Sequence, residues 1–132
     1  MTKLNDNWKE RDTLIFGKPI DWENDGAGGT ERFEGLSLKV LKELKEKNFL
    51  DPEDAQNSAP SIEEMMEFMD GHKGFTAHGY VVSPNREDYR VSLEGVEFIG
   101  KVSFPTITEF SKMFGHADDL TIEEERLYCW FD

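Results

Sequence analysis

The pattern most suggestive of chemistry is a run of acidic residues in a glycine-rich segment. Asp21, Glu23 and Asp25, followed by a glycine, match the first half of a calcium-binding loop. Oxygen atoms at alternate positions of such a loop converge on one cation, and the glycine permits the sharp turn. The last position of the loop needs a bidentate glutamate but holds Arg32, so Glu31 would have to replace it in a non-standard loop. Calcium binding is therefore the alternative prediction. The simpler predictions are that this segment is a solvated turn and that the protein binds no cofactor.

Other patterns for catalysis or metal binding are incomplete. Glycines precede Thr30, but neither a dinucleotide fingerprint nor a Gly-Lys-Ser/Thr sequence accompanies them. Zinc-motif spacing is missing among the three histidines, His72, His78 and His116. The lone Cys129 stands between two aromatic residues, a context typical of a buried strand residue rather than of a nucleophile. We expect no catalytic residue, which favours a protein that is not an enzyme.

Acidic side chains strongly outnumber basic ones. Among 132 residues there are 28 Asp and Glu against 15 Lys and Arg, a formal net charge of −13. This excess argues against nucleic-acid binding, which needs clustered Lys and Arg, and against docking on anionic membranes. No apolar run approaches the ~18 residues of a membrane span, and residues 1–10 lack the apolar core of a signal peptide. We therefore expect a soluble, cytoplasmic protein.

The acids are concentrated in two segments. Residues 51–70 contain seven acids and no Lys or Arg, and residues 118–132 contain six acids and one Arg. Together with the abundant aromatic residues, this favours a binding protein for a basic protein partner, such as an immunity-type inhibitor or antitoxin, because charge complementarity speeds encounter and aromatic anchors supply affinity. The predicted partner-binding residues are Glu63, Glu64, Glu67, Asp70, Asp118, Asp119, Glu123, Glu124, Glu125 and Trp130.

Two alternatives to this function stay open. The charge can serve solubility alone. The glycine-rich loop over residues 21–31 can instead make a calcium- or small-ligand-responsive domain, with Asp21, Glu23, Asp25 and Glu31 as its ligands.

Hydrophobic periodicity predicts the elements that position these residues. Residues 1–12 are polar and predict a flexible N-terminal arm, and residues 13–20 predict an extended segment. Over residues 30–47 the apolar side chains recur with the period of a helix, which Thr30 would cap. A second helix is predicted from Ser61, because Ser61 and the glutamate three residues later fit a capping box.

Alternation of apolar and polar residues predicts two β-hairpins. The first joins residues 75–83 to residues 89–98, and Gly95 interrupts its alternation where a bulge is expected. The second joins residues 119–122 to residues 126–131. A capping-box pattern also leaves a helix open for this last segment.

A short helix over residues 106–114 completes the predicted elements. The chain is therefore predicted to be α+β, with two or three helices packed on a mainly antiparallel β-sheet and residues 13–132 forming one domain.

Overall fold

Helices and strands are mixed along the chain in an α+β arrangement. A computed structural model describes residues 3–24 and 27–132. In this part of the chain the α-helices are α1 (Trp8–Phe16), α2 (Leu38–Glu46), α3 (Ile62–Gly71) and α4 (Phe104–Phe114). The strands are β1 (Thr30–Leu36), β2 (Thr76–Val82), β3 (Val91–Ile99), β4 (Asp119–Glu123) and β5 (Arg126–Trp130).

All five strands form one antiparallel sheet in the order β1-β2-β3-β5-β4. Helix α3 packs against β3 and α4 against β5, while α1 contacts α2 and β1. The α+β prediction is confirmed, with four helices in the described residues where two or three were expected. No helix in this part of the chain is both long and apolar enough to cross a membrane.

The elements with complete local signals form where they were predicted. Ser61 accepts a hydrogen bond from the Glu64 backbone N–H, and the Glu64 carboxylate accepts one from the Ser61 N–H, so the capping box at the start of α3 is confirmed. Both predicted hairpins form, as β2–β3 and as β4–β5. The register of β2 and β3 shifts between His78 and Gly79, so the bulge expected at Gly95 is also confirmed.

The first half of the helix predicted over residues 30–47 is wrong. Thr30 begins β1, and the N-cap of α2 is Ser37, whose hydroxyl accepts the Val40 N–H. The register of β1 shifts between Phe33 and Leu36, so both side chains are buried although they are three residues apart. In a regular strand this spacing places side chains on opposite faces, so the bulge gives a strand the apolar spacing of a helix.

The N-terminal segment also differs from its prediction. Residues 8–12, expected in a flexible arm, begin α1, and the extended segment expected over residues 13–20 is helical as far as Phe16. Arg11 and Asp12 are completely buried. The completely buried side chains of this helix are charged and its apolar side chains are only partly buried, so hydrophobic periodicity does not detect it.

Candidate functional site

The face of the sheet opposite the apolar core forms a polar and aromatic cleft. Along β5, Leu127 and Cys129 are completely buried in the core, and the alternate side chains lie on the other face. There they border a cleft of about 700 Å³. Its lining residues are Arg32, Phe33, Glu34, His78, Gly79, Glu94, Glu97, Asp119, Thr121, Arg126, Tyr128 and Trp130.

His78 is one of the residues that line this cleft. Its Nε2 is 2.9 Å from the Cys129 carbonyl oxygen, and its ring stacks on Tyr128 with 4.9 Å between the ring centroids. Gly95 on β3 is the register partner of His78, and β3 lies between β2, which carries His78, and β5, which carries Cys129 and Tyr128. Without a side chain at Gly95, the imidazole reaches across β3 to β5. Because a carbonyl only accepts, Nε2 carries the ring proton and Nδ1 is the acceptor of the neutral ring.

Burial lowers the pKa of His78 below its ordinary value. The hydrogen bond to the Cys129 carbonyl and the charges of Glu97, Glu94 and Glu34 act in the opposite direction but are smaller effects. The neutral imidazole therefore predominates at neutral pH. On the core side of β5, burial raises the pKa of the Cys129 thiol to about 12, so this thiol stays protonated and unreactive.

Two arginines partly neutralise the cleft. The Arg126 Nε donates to Glu97 at 2.8 Å, and its guanidinium carbon lies 4.8 Å from the centre of the Tyr128 ring. Arg32 pairs with the buried Glu94. Within the part of the chain that the structure describes, the other acids of this face form no salt bridge; they are Glu34, Asp119 and Glu123. The cleft therefore combines aromatic rings with uncompensated carboxylates.

The state of His78 predicts a pH dependence of stability. The unfolded protein binds a proton at His78 near the ordinary value of 6.5, whereas the folded protein binds it only at lower pH. Stability is therefore expected to fall as pH decreases below about 6.5, because the unfolded state takes up more protons. Thermal unfolding between about pH 5.5 and 7.5 should show a smaller slope for His78→Gln than for the original chain. The exposed His116→Gln is the control, and equal slopes for all three proteins would contradict the prediction.

The predicted partner-binding residues separate into two groups. On α3, Glu63 pairs with Lys45 at 2.8 Å and Asp70 with Lys42 at 3.3 Å. Glu64 belongs to the capping box and Glu67 is exposed. The α2 lysines thus compensate much of this acidic segment, and none of the four acids lines the cleft.

The second group lies at or near the cleft. Asp119 and Trp130 are register partners and both line it, and Glu123 is the register partner of Arg126. Glu124 and Glu125 form the exposed turn between β4 and β5. Asp118 lies before β4, and its carboxylate accepts the Asp132 N–H at 2.8 Å. The structure therefore unites Asp119, Glu123 and Trp130 and leaves the α3 acids apart.

Sequence reasoning missed several cleft residues. Tyr128 and Arg126 lie on the strand that carries Trp130, so the alternation along this strand was a usable signal. His78, Glu97 and Glu34 come from other strands, and their place in the cleft depends on strand order. No local pattern encodes that order.

The proposed calcium ligands do not form a described site. The Asp21 carboxylate accepts the Glu23 N–H at 3.2 Å and the Asn24 side-chain amide at 2.8 Å. The hydrogen bond from the Asn24 side chain is the main cause of a lowered Asp21 pKa, and the one from the Glu23 N–H adds a smaller effect. Glu31 lies on β1 opposite Val81. Asp25 lies outside the described residues, so calcium binding stays a prediction.

No protein-family model matches this chain, and neither the curated proteins nor the solved structures contain a significant match.

Proposed function

We propose that this protein is a binding protein that holds a basic segment of another protein in the cleft on the face of its sheet opposite the apolar core. The observation that carries the proposal is the juxtaposition, in one cleft, of the Trp130 ring with the uncompensated carboxylates of Asp119 and Glu34. A Lys or Arg side chain is the chemical group that suits both features. It stacks on an aromatic face and pairs with a carboxylate.

The charge of the whole chain supports the same class of partner. A net charge of −13 attracts a basic protein over distance and raises the rate of encounter. Tyr and Trp side chains are the usual anchors of protein interfaces, and they gain most when neighbouring residues exclude water. In this cleft Trp130 lies beside an acid, because Asp119 is its register partner.

The particular role that we propose is that of a cytoplasmic immunity-type inhibitor or antitoxin. Basic nucleases and toxins carry clustered Lys and Arg side chains that bind phosphates. Carboxylates held on the rigid strands β1 and β4 can occupy the positions of those phosphates. Binding would then block the basic site of the partner without any chemistry by this protein.

The test is capture of a partner from a host lysate at stepwise increasing salt, followed by kinetics with the purified partner. The expected result is a basic protein that is retained at low salt and released at high salt. The double variant Asp119→Asn/Glu123→Gln should then associate about tenfold more slowly at low salt, with a smaller salt dependence. Trp130→Ala should mainly accelerate dissociation, because it removes a packed anchor.

The matched control removes the same charge from the helical layer, here the exposed surface of α2 and α3. Glu46 and Glu67 are exposed acids on α2 and α3, outside the cleft and without a salt bridge in the described residues. Glu46→Gln/Glu67→Gln should leave the association rate nearly unchanged. If this control slows association and the cleft variant does not, the partner uses the helical layer and the cleft is the wrong site. If a folded bait retains no basic protein at any salt concentration, the proposed function is wrong.

A further inference from the structure

We infer that the free edge of β4 accepts an extended basic segment of the partner as a sixth strand of the sheet. This inference rests on the proposed function and specifies how the partner is held. Among the residues that the structure describes, β4 is the last strand of the sheet and pairs only with β5. A regular edge strand offers backbone N–H and C=O groups to an added strand, which is a common mode of peptide recognition.

The register identifies the backbone groups that are free. A two-residue turn joins Glu123 to Arg126, which makes these residues the closing hydrogen-bonded pair of the hairpin. Hydrogen-bonded and non-hydrogen-bonded pairs alternate along an antiparallel ladder. The N–H and C=O groups of Leu120 and Ile122 therefore point away from β5, toward the free edge.

The side chains of β4 specify the kind of strand that fits. Asp119 and Thr121 line the cleft, and Glu123 shares their face because it lies two residues further along the strand. Leu120 and Ile122 occupy the opposite face and are 37% and 42% exposed, among the few large apolar side chains open to solvent in the described part of the chain. A complementary strand alternates basic residues toward the cleft with apolar residues toward Leu120 and Ile122.

A second copy of this chain fits the edge poorly. Two β4 strands paired antiparallel about their centres place Asp119 opposite Glu123 at both ends, and a parallel in-register pair aligns each acid with its own copy. Like charges placed directly across a strand pair are destabilising. The acids of β4 thus disfavour self-association and favour a basic strand.

The other edge of the sheet is less suited to an added strand. The register of β1 is irregular between Phe33 and Leu36, and Gly35 has a φ of 65°. A bulge interrupts the row of backbone groups that an added strand needs. The cleft face of β1 also carries Arg32, which would repel a basic side chain.

The experiment uses labelled synthetic peptides of about seven residues that alternate Lys and Val, with fluorescence anisotropy as the readout on the full chain. A peptide of the same composition with all Lys residues in one block is the control. The alternating peptide should bind about tenfold more tightly. Asp119→Lys/Glu123→Lys should reverse the preference toward a peptide that alternates Glu and Val.

N-methylation of the peptide separates strand addition from simple charge attraction. One edge of the added strand faces β4 and the other faces solvent. Methylating the Lys amides or the Val amides should therefore abolish binding in one series and leave it nearly unchanged in the other. Equal binding of both series, no binding of the parent peptide, or dimers of the protein in sedimentation would each overturn strand addition.

The experiments distinguish a failure of strand addition from a failure of the proposed function. If both methylated series bind equally while Asp119→Asn/Glu123→Gln still slows capture of the basic partner, the cleft binds the partner without an added strand. If no basic protein is captured at all, the function itself is wrong, whatever the peptides do.

Discussion

Replacing Arg11 with methionine is expected to lower the free energy of unfolding by about 3–5 kcal/mol, because it leaves a buried carboxylate without its cation. Arg11 and Asp12 are both completely buried. The Arg11 Nε donates to Asp12 Oδ1 at 2.9 Å, and one terminal nitrogen donates to the Val82 carbonyl at 2.9 Å. The other terminal nitrogen lies 2.9 Å from Asp12 Oδ1 as an ion pair without hydrogen-bond geometry.

This buried pair joins α1 to the rest of the fold. Asp12 Oδ2 accepts the Ile20 N–H at 3.2 Å and the Trp22 indole N–H at 2.9 Å. The Arg11 guanidinium carbon lies 4.6 Å from the centre of the Tyr89 ring. Methionine fills much of the same volume but supplies neither donors nor charge. Asp12 would then keep its neutral donors only.

Chemical denaturation of the full chain measures this effect. Lys47→Met is the matched control, because it breaks the partly exposed pair with Glu10, whose side chains are 42% and 37% exposed. An exposed ion pair contributes about 1 kcal/mol or less, so the control should cost no more than that. Arg11→Met/Asp12→Asn should recover part of the loss, since it removes the unpaired charge. A cost for Arg11→Met as small as that of Lys47→Met would show that the buried pair is not a major source of stability.

The sequence predicts the parts of this fold that local signals determine. Alternation defines both hairpins, and the Ser61–Glu64 capping box defines the start of α3. Helix α1 escapes prediction because Arg11 and Asp12 are buried as a pair, against the rule that charged residues face solvent. β1 escapes it because a bulge gives its apolar residues a helical spacing.

The candidate site was predicted only in part, for a related reason. Trp130 and Asp119 lie on one hairpin, so a signal along a short stretch of chain is enough to find them. His78 enters the site from a strand that does not pair with β5 and reaches it across β3. That contact depends on a bulge in β3 and on a glycine of β3 that lies between β2 and β5. These residues are distant in the sequence, so no local pattern predicts the contact.

Replacing this glycine, Gly95, with alanine is expected to lower the free energy of unfolding by about 3 kcal/mol, since overpacking a closed site costs about 1–3 kcal/mol and occasionally more. An added Cβ would lie 1.9 Å from the Cys129 carbonyl oxygen and 2.8 Å from the His78 Nε2. The first contact is with backbone, which moves only if β3 and β5 separate. The second would displace the imidazole from its hydrogen bond.

The control for this substitution is Gly71→Ala at the end of α3. Apart from its chain neighbours and the backbone of the helix itself, no heavy atom lies within 4 Å of an added Cβ there, and the backbone is helical. Alanine should therefore be neutral or stabilise the protein by about 0.5–1 kcal/mol, because it reduces the freedom of the unfolded chain. The comparison isolates the steric conflict at Gly95 from the general effect of losing a glycine.

Stability and site geometry should change together in Gly95→Ala. Displacing His78 removes its hydrogen bond to Cys129 and its stacking on Tyr128, so the pH dependence between about pH 5.5 and 7.5 should flatten as in His78→Gln. Partner capture should weaken even where the variant is still folded, because Tyr128 loses the ring that supports it. Chemical denaturation, the pH series and capture on the same protein sample measure all three effects. A variant as stable as Gly71→Ala, with an unchanged pH slope, would mean that His78 does not depend on the gap at Gly95.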